Sequence, residues 1–254
     1  MSSCLAAGTS TGLVRKRNED SAYAGRWLCA VADGMGGHVA GDIASATVVD
    51  ALRPFDVDAG SPGQLINVLG RAVSAASGQL AARIEADRSL AGMGTTLTAM
   101  LWSGTYAAVA NIGDSRGYLL RRGTLKLITE DHVMGKLVAS PAPAQISTII
   151  VRYLDGRSNR SPDLTLRSVL PGDRYLICSD GLSGVLEARV IRDVLVASGE
   201  DAAQMVTDLI QLTHEVGAPD NVTAIVADVT DGIWRAPQGN PVILGAAASH
   251  AEAS

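Results

Sequence analysis

The string Ala30-Val31-Ala32-Asp33-Gly34-Met35-Gly36-Gly37-His38 puts a carboxylate at the end of a short apolar run, with a glycine cluster directly after it. The run predicts a strand stiff enough to hold Asp33 in place. Gly34, Gly36 and Gly37 free the backbone to turn sharply and to offer carbonyl or N–H groups to a ligand. A carboxylate beside an accessible carbonyl is an oxygen-donor set, which suits Mg²⁺ or Mn²⁺ rather than zinc. The same string also fits an ordinary strand-to-helix turn.

Three more strand edges carry an Asp beside Gly, Ser or Asn: Asn111-Ile112-Gly113-Asp114-Ser115-Arg116, Cys178-Ser179-Asp180-Gly181 and Ala218-Pro219-Asp220-Asn221-Val222-Thr223. Asn18-Glu19-Asp20 adds two acids just before the first strands. A single Asp-Gly is usually a turn. Four such sites form a cup of hard oxygen donors if the strand ends converge, and the cup would repel itself unless cations occupied it. Other chemistries lack their residues. There is no Gly-x-x-x-x-Gly-Lys-Ser/Thr loop for a P-loop nucleotidase, no His-Glu-x-x-His or Cys-x-x-Cys for zinc, and no Gly-x-Ser-x-Gly elbow. A cysteine phosphatase needs an Arg spaced to cradle phosphate, and Gly184 and Met35 stand at that spacing from Cys178 and Cys29.

The elements that must position these residues are short. Strand-like runs recur at 27–32, 95–101, 106–112, 117–120, 125–128, 164–168, 174–178 and 223–229. Ser103-Gly104 and Arg122-Gly123 join neighbours tightly enough for antiparallel hairpins. Helical patterns fall in two blocks, 40–52 with 62–87 and 187–197 with 201–216, and Ser61-Pro62 reads as an N-cap followed by proline at the first helical position. Helices in pairs with hairpins between them predict a layered α+β fold rather than a doubly wound sheet. Residues 131–160 and a tail rich in Ala, Pro and Gly, 233–254, read as irregular, the tail as flexible beyond a domain over 5–232.

With 254 residues, 47% of them apolar and 19% charged, the chain can bury a sizeable core. A net charge of −5 gives no reason to expect nucleic acid or an anionic membrane as partner. Cys29 and Cys178 lie in apolar runs and Cys4 makes an odd count, which predicts free thiols and a reducing compartment. With no leader-like opening and no apolar run long enough to span a bilayer, a cytoplasmic protein without a membrane anchor is expected.

Arg15-x-x-Asn18-Glu19-Asp20, Ala32-Asp33-Gly34-Met35-Gly36-Gly37, Gly92-Met93-Gly94-Thr95-Thr96, Gly113-Asp114-Ser115-Arg116, Ser179-Asp180-Gly181 and Asp220-Asn221-Val222-Thr223 occur in this order. Together, from about Thr9 to Val229, they resemble the bacterial branch of the metal-dependent protein phosphatase family, type 2C. The resemblance implies an α+β fold, a four-layer α-β-β-α sandwich with two antiparallel sheets flanked by helix pairs and a binuclear metal site at one end. It implies hydrolysis of phosphoserine and phosphothreonine in proteins, with two Mn²⁺ or Mg²⁺ ions acidifying a water that attacks phosphorus in line. The partners it implies are phosphorylated proteins and a cognate serine/threonine kinase, met by a monomer.

By the same resemblance Asp33 bridges two cations. The Gly34 carbonyl and Glu19 complete one site, and Asp180 with Asp220 the other. Asp114 with Asp180 holds a third metal in bacterial members, or Asp114 serves its own turn. Arg15 is the phosphate fork, with Arg17 either its nearby rival or a solvated strand charge. Asp20 either orients metal-bound waters from behind or caps a local turn. Thr95 and Thr96 pack behind the site, Arg116 pairs with an acid, and His132 is structural. Two departures from the family stand out. Met35 occupies the position where eukaryotic members often carry a proton-donating His, with His38 three residues further on. The flap region 133–160 is short and lacks the usual His-Pro. The alternative function is a phosphatase-fold module, weak or inactive, that binds a partner. Such modules typically lose a metal ligand, and this chain retains the set.

Overall fold

Strand residues alternate between two faces, and here the two faces enter different cores. In β3 (Leu28–Met35), Leu28, Ala30 and Ala32 face a helical layer while Cys29 and Val31 face the other sheet. In β10 (Asp173–Cys178), Tyr175 and Ile177 point inward between the sheets, and Leu176 and Cys178 point to a second helical layer. Strands buried on both faces explain why the runs read as nearly continuous apolar stretches. The computed structural model describes residues 4–35, 40–137, 148–157, 161–199 and 201–252. Gly36, Gly37 and His38 lie outside them, as does much of the expected flap.

Two antiparallel sheets result. One orders β1 (Leu5–Ser10), β11 (Val222–Val229), β10, β7 (Arg116–Arg121) and β8 (Thr124–Leu127). The other orders β12 (Val242–Gly245), β2 (Asp20–Ala24), β3, β5 (Leu97–Ser103), β6 (Tyr106–Ile112) and β9 (Asp163–Ser168), with β4 (Gly94–Thr95) paired to the end of β3. Helices α1 (Gly41–Leu52) and α2 (Pro62–Ala86) cover the second sheet. On α2 the buried residues Leu65, Leu69, Ala72, Val73, Ala76 and Leu80 recur every three or four positions, the stripe of an amphipathic helix. Helix α3 (Asp180–Ser183) is a single turn, and α4 (Ala188–Ala197) and α5 (Ala202–Glu215) cover the first sheet. The four-layer α-β-β-α sandwich is therefore the observed architecture.

The segment 233–254, expected as a flexible tail, is built into the fold over its described part. Strand β12 pairs with β2 in register (Val242↔Ala24 to Gly245↔Ser21), and α6 (Ala246–Glu252) follows, packed on α1. Gly245 turns with φ +70° where a side chain would collide with the Asp20 carbonyl. Ala247 N–H donates to Ser21 Oγ at 3.1 Å. The short strand follows a Pro/Gly-rich stretch, and its partner lies more than two hundred residues earlier in the chain. Among the described residues no helix is long and apolar enough to cross a membrane, and Cys29 and Cys178 are buried free thiols.

Candidate functional site

β3 delivers Asp33 to the end of the sandwich, opposite Asp20 of β2. Three bonds fix its backbone. Asp33 N–H donates to Thr96 Oγ1 at 3.0 Å, and its carbonyl accepts from Thr96 N–H at 2.9 Å and Thr95 Oγ1 at 2.8 Å. Gly34 N–H donates to the Glu19 carbonyl at 3.2 Å. A side chain at Gly34 would collide with the Gly41 carbonyl, and one at Gly41 with the Glu19 carboxylate. The glycines thus let β3, the Glu19 turn and the start of α1 close together.

Asp180 opens α3 at the end of β10, and Asp220 stands just ahead of β11. A side chain at Gly181 would collide with the Asn221 carbonyl, so the two turns meet through a glycine. Asn221 is the knot of this corner. Its Oδ1 accepts from Glu19 N–H at 2.8 Å, and its Nδ2 donates to the Thr11 and Arg17 carbonyls, each at 2.9 Å. That holds the 11–17 loop in place, and Arg15 Nη2 reaches Asp220 Oδ2 at 2.6 Å.

Asp20 sits deeper, fully buried. Its Oδ2 accepts from Ser179 Oγ at 2.8 Å and Thr223 Oγ1 at 2.6 Å, so a β2 carboxylate clamps the ends of β10 and β11 in the facing sheet. Its Oδ1 has no partner. Asp114 lies in the turn between β6 and β7 and also keeps an unpartnered, buried Oδ1. Arg116 beside it turns away to a bidentate pair with Asp131, 2.6 Å at closest. His132 is structural, accepting from Gly113 N–H at 3.0 Å and facing Asp163 Oδ2 at 3.0 Å.

The electrostatics show how crowded with negative charge this end is. Burial, then repulsion from Asp20 and Asp180, pushes Asp33 well above the usual carboxylate range. Asp180 and Glu19 are also raised, chiefly by burial. Burial, then the charge of Asp180, carries Asp114 to about 7. Asp20 also reaches about 7, because burial outweighs its two hydroxyl donors. Two carboxylates about 4 Å apart repel by roughly 4 kcal/mol even at an effective dielectric of about 20, so protons stand in where positive charge is lacking.

A cavity of about 510 Å³ is lined by Arg15, Glu19, Asp33, Gly34, Asp180 and Asp220. Sequence reasoning named all six. Asp20 and Asp114 are not in that wall. Arg17 is not a strand charge. It sits in the 11–17 loop and lines the same cavity with Lys16. Asp42, Lys16 and Ile150 were missed, because only the folding of α1, the loop and the flap base against one another brings them there. The anchoring bonds made by Asn221 and Thr96 were also missed, although both residues stand inside recognised motifs. No three His, Cys, Asp or Glu side chains among the described residues already close on one point as metal ligands. Asp220 is engaged instead by Arg15.

The protein phosphatase 2C pattern matches residues 8–227 of this chain. The chain belongs to the protein phosphatase 2C family. Serine/threonine protein phosphatase PstP of Mycobacterium tuberculosis is 43% identical over 249 residues, covering 95% of this chain and 47% of that protein. This chain thus spans about half the length of that curated relative. Serine/threonine phosphatase stp of Listeria welshimeri is 30% identical, covering 87% of this chain and 93% of that protein. A solved structure of the PstP catalytic domain in complex with two manganese ions superposes with a TM-score of 0.81 at 44% identity, covering 89% of this chain and 98% of that one.

The protein phosphatase 2C site of this chain fits divalent cations on its own chemistry. Its donors are carboxylates and a carbonyl, all hard oxygens. Burial and mutual repulsion raise the proton affinity of several of them, a repulsion that cations would relieve. The Arg15–Asp220 pair that takes up one ligand is solvent-exposed, with side chains 57% and 35% accessible, and such pairs contribute about 1 kcal/mol or less.

Proposed function

We propose that this chain is a metal-dependent phosphatase that removes phosphate from phosphoserine and phosphothreonine in proteins. The observation that carries this reading is the convergence of Asp33, Asp180, Asp220, Glu19, Gly34 and Arg15 on one open cavity. Asp33 is suited to bridge two Mn²⁺ or Mg²⁺ ions. Glu19 and the Gly34 carbonyl would hold one ion, and Asp180 and Asp220 the other. Asp114, with its orphaned oxygen and Asp180 as neighbour, offers a third position. The manganese pair reported for the PstP catalytic domain supports the stoichiometry.

Such cations supply, when bound, Lewis-acid acidification of a water and neutralisation of phosphoryl charge. The protein's own groups do the rest. Arg15, freed from Asp220, places its planar fork on two phosphoryl oxygens. Asp33 and Asp180, whose proton affinity burial raises, act as full anions once positive charge faces them. Asp20 holds Ser179 and Thr223, and through them keeps Asp180 and Asp220 at the right separation. Met35 lines the cavity and has no proton to give to the leaving serine oxygen.

The cellular reading is a cytoplasmic monomer opposing a serine/threonine kinase. Free buried thiols support the compartment, and a site assembled wholly within one chain supports the monomer. Hydrolysis of p-nitrophenyl phosphate tests the proposal. Turnover should require Mn²⁺ or Mg²⁺ and fall at least about a hundredfold in Asp33→Ala, since loss of one charge-stabilising group costs that much. Metal-independent turnover, or full activity in the variant, overturns it.

A further inference from the structure

The catalytic cavity does not end at the metal ligands. Lys16, Arg17 and Asp42 form a wall common to it and to a second cavity of about 460 Å³, whose far side is Gly245, Ser249 and His250. The two spaces adjoin across these three residues and, taken together as a channel, extend from Asp33 past two basic side chains to the C-terminal helix.

The walls of this channel are built. On one side, the Arg17 carbonyl is tied to Asn221, which also holds the Glu19 amide. On the other, β12 pairs with β2 and Ala247 N–H is bonded to Ser21 Oγ, so α6 is fixed over α1. In the wall the two spaces share, two cations stand against one carboxylate. Arg116, Arg121, Arg152 and Arg174 all pair with aspartates. Lys16 and Arg17 are exposed and form no ion pair with a described residue, and Asp42 is the single carboxylate in the shared wall. A phosphoserine seated in the catalytic cavity is part of a polypeptide, and the residues on one side of it must leave through an opening of this kind.

We propose that this channel is a substrate subsite that receives the polypeptide flanking the phosphoresidue and selects acidic side chains there through Lys16 and Arg17. The proposal rests on the phosphatase reading and adds the class of substrate. Exposed charge pairs are weak singly, but two acting together favour an acidic flank by about three- to tenfold in kcat/KM at low salt. Screening narrows that preference as the ionic strength rises.

The test compares phosphoserine peptides that share a core and differ only in flanks, Asp/Glu against Asn/Gln on either side, with Mn²⁺ present. The wild-type protein should prefer an acidic flank on one side. The preference should vanish or invert in Lys16→Glu/Arg17→Glu and grow in Ser249→Lys, which adds a cation to an exposed position on the far wall. Equal kcat/KM for acidic and neutral peptides in the wild type, or ratios unchanged in both variants, overturns the subsite while leaving the phosphatase reading intact. Failure to turn over any peptide or p-nitrophenyl phosphate overturns both. Should the double variant lose its circular-dichroism signature, Ser249→Lys decides alone.

Discussion

Strands β10 and β11 carry aspartates at both ends, and the two ends behave differently. At one end Asp173 accepts from Arg121 at 2.6 Å and from the Leu170 amide at 2.8 Å, and Asp228 accepts from Arg174 at 2.6 Å. At the other end lie Asp180 and Asp220, joined by Asp20, Asp33, Asp114 and Glu19. Among the described cations only Arg15 forms an ion pair with any of these. Arg116 is close enough to affect Asp114, yet it is committed to Asp131. Residue type and strand position are alike at the two ends. What differs is whether the chain brings its own cation. An end whose carboxylates are paired within the chain is structural, and an end where most of them have no ion-pair partner among the described residues is prepared for positive charge from outside.

Replacing one carboxylate at each end breaks this comparison most sharply. Asp180→Asn should lower Mn²⁺-dependent phosphatase activity by about a thousandfold, the scale of losing one group that stabilises transition-state charge. In metal-free protein the same change should leave the melting temperature equal or higher, because it removes a repelling charge. Next in size is the response to pH. Asp20 and Asp114 bind protons in the folded protein up to about pH 7, against a usual value of 3.8. The folded state therefore holds protons that the unfolded chain releases, and metal-free stability should fall between about pH 4 and 7, by on the order of a few kcal/mol. Saturating Mn²⁺ should flatten that slope in denaturant titrations. Asp173→Ala should do the reverse of Asp180→Asn. It breaks a buried ion pair and should cost about 3 kcal/mol of stability, with activity per folded molecule unchanged.

Much of the architecture is legible locally. Residues 62–86 form one helix because Ser61-Pro62 starts it and a stripe of apolar residues sustains it. Tyr106–Ile112 is a strand over the span its apolar run indicates. Three strands escaped the reading. Leu5–Ser10 and Asp20–Ala24 are rich in small residues with little alternation, and Val242–Gly245 is four residues long. All three owe their form to partners distant in sequence, so local pattern carries little of the signal.

The site divides in the same way. Asp33, Asp180, Asp220, Glu19 and Arg15 stand inside recognisable motifs, and the fold brings them into one cavity. Asp42 and Lys16 join them through the packing of α1 and the 11–17 loop, which no motif spells out. The clamp made by Asp20 was open between two roles in the sequence. The hydroxyls of Ser179 and Thr223, supplied by the facing sheet, give it a third one, holding the two sheets together beneath the site.

The central claim is that the unpaired strand ends hold two divalent cations. Calorimetric titration of Mn²⁺ into the metal-stripped protein tests it most directly. The account predicts two bound ions per chain, proton release from carboxylates whose proton affinity burial raises, and loss of the paired site in Asp33→Ala. An absence of Mn²⁺ binding, or a titration curve unchanged by Asp33→Ala, would contradict it.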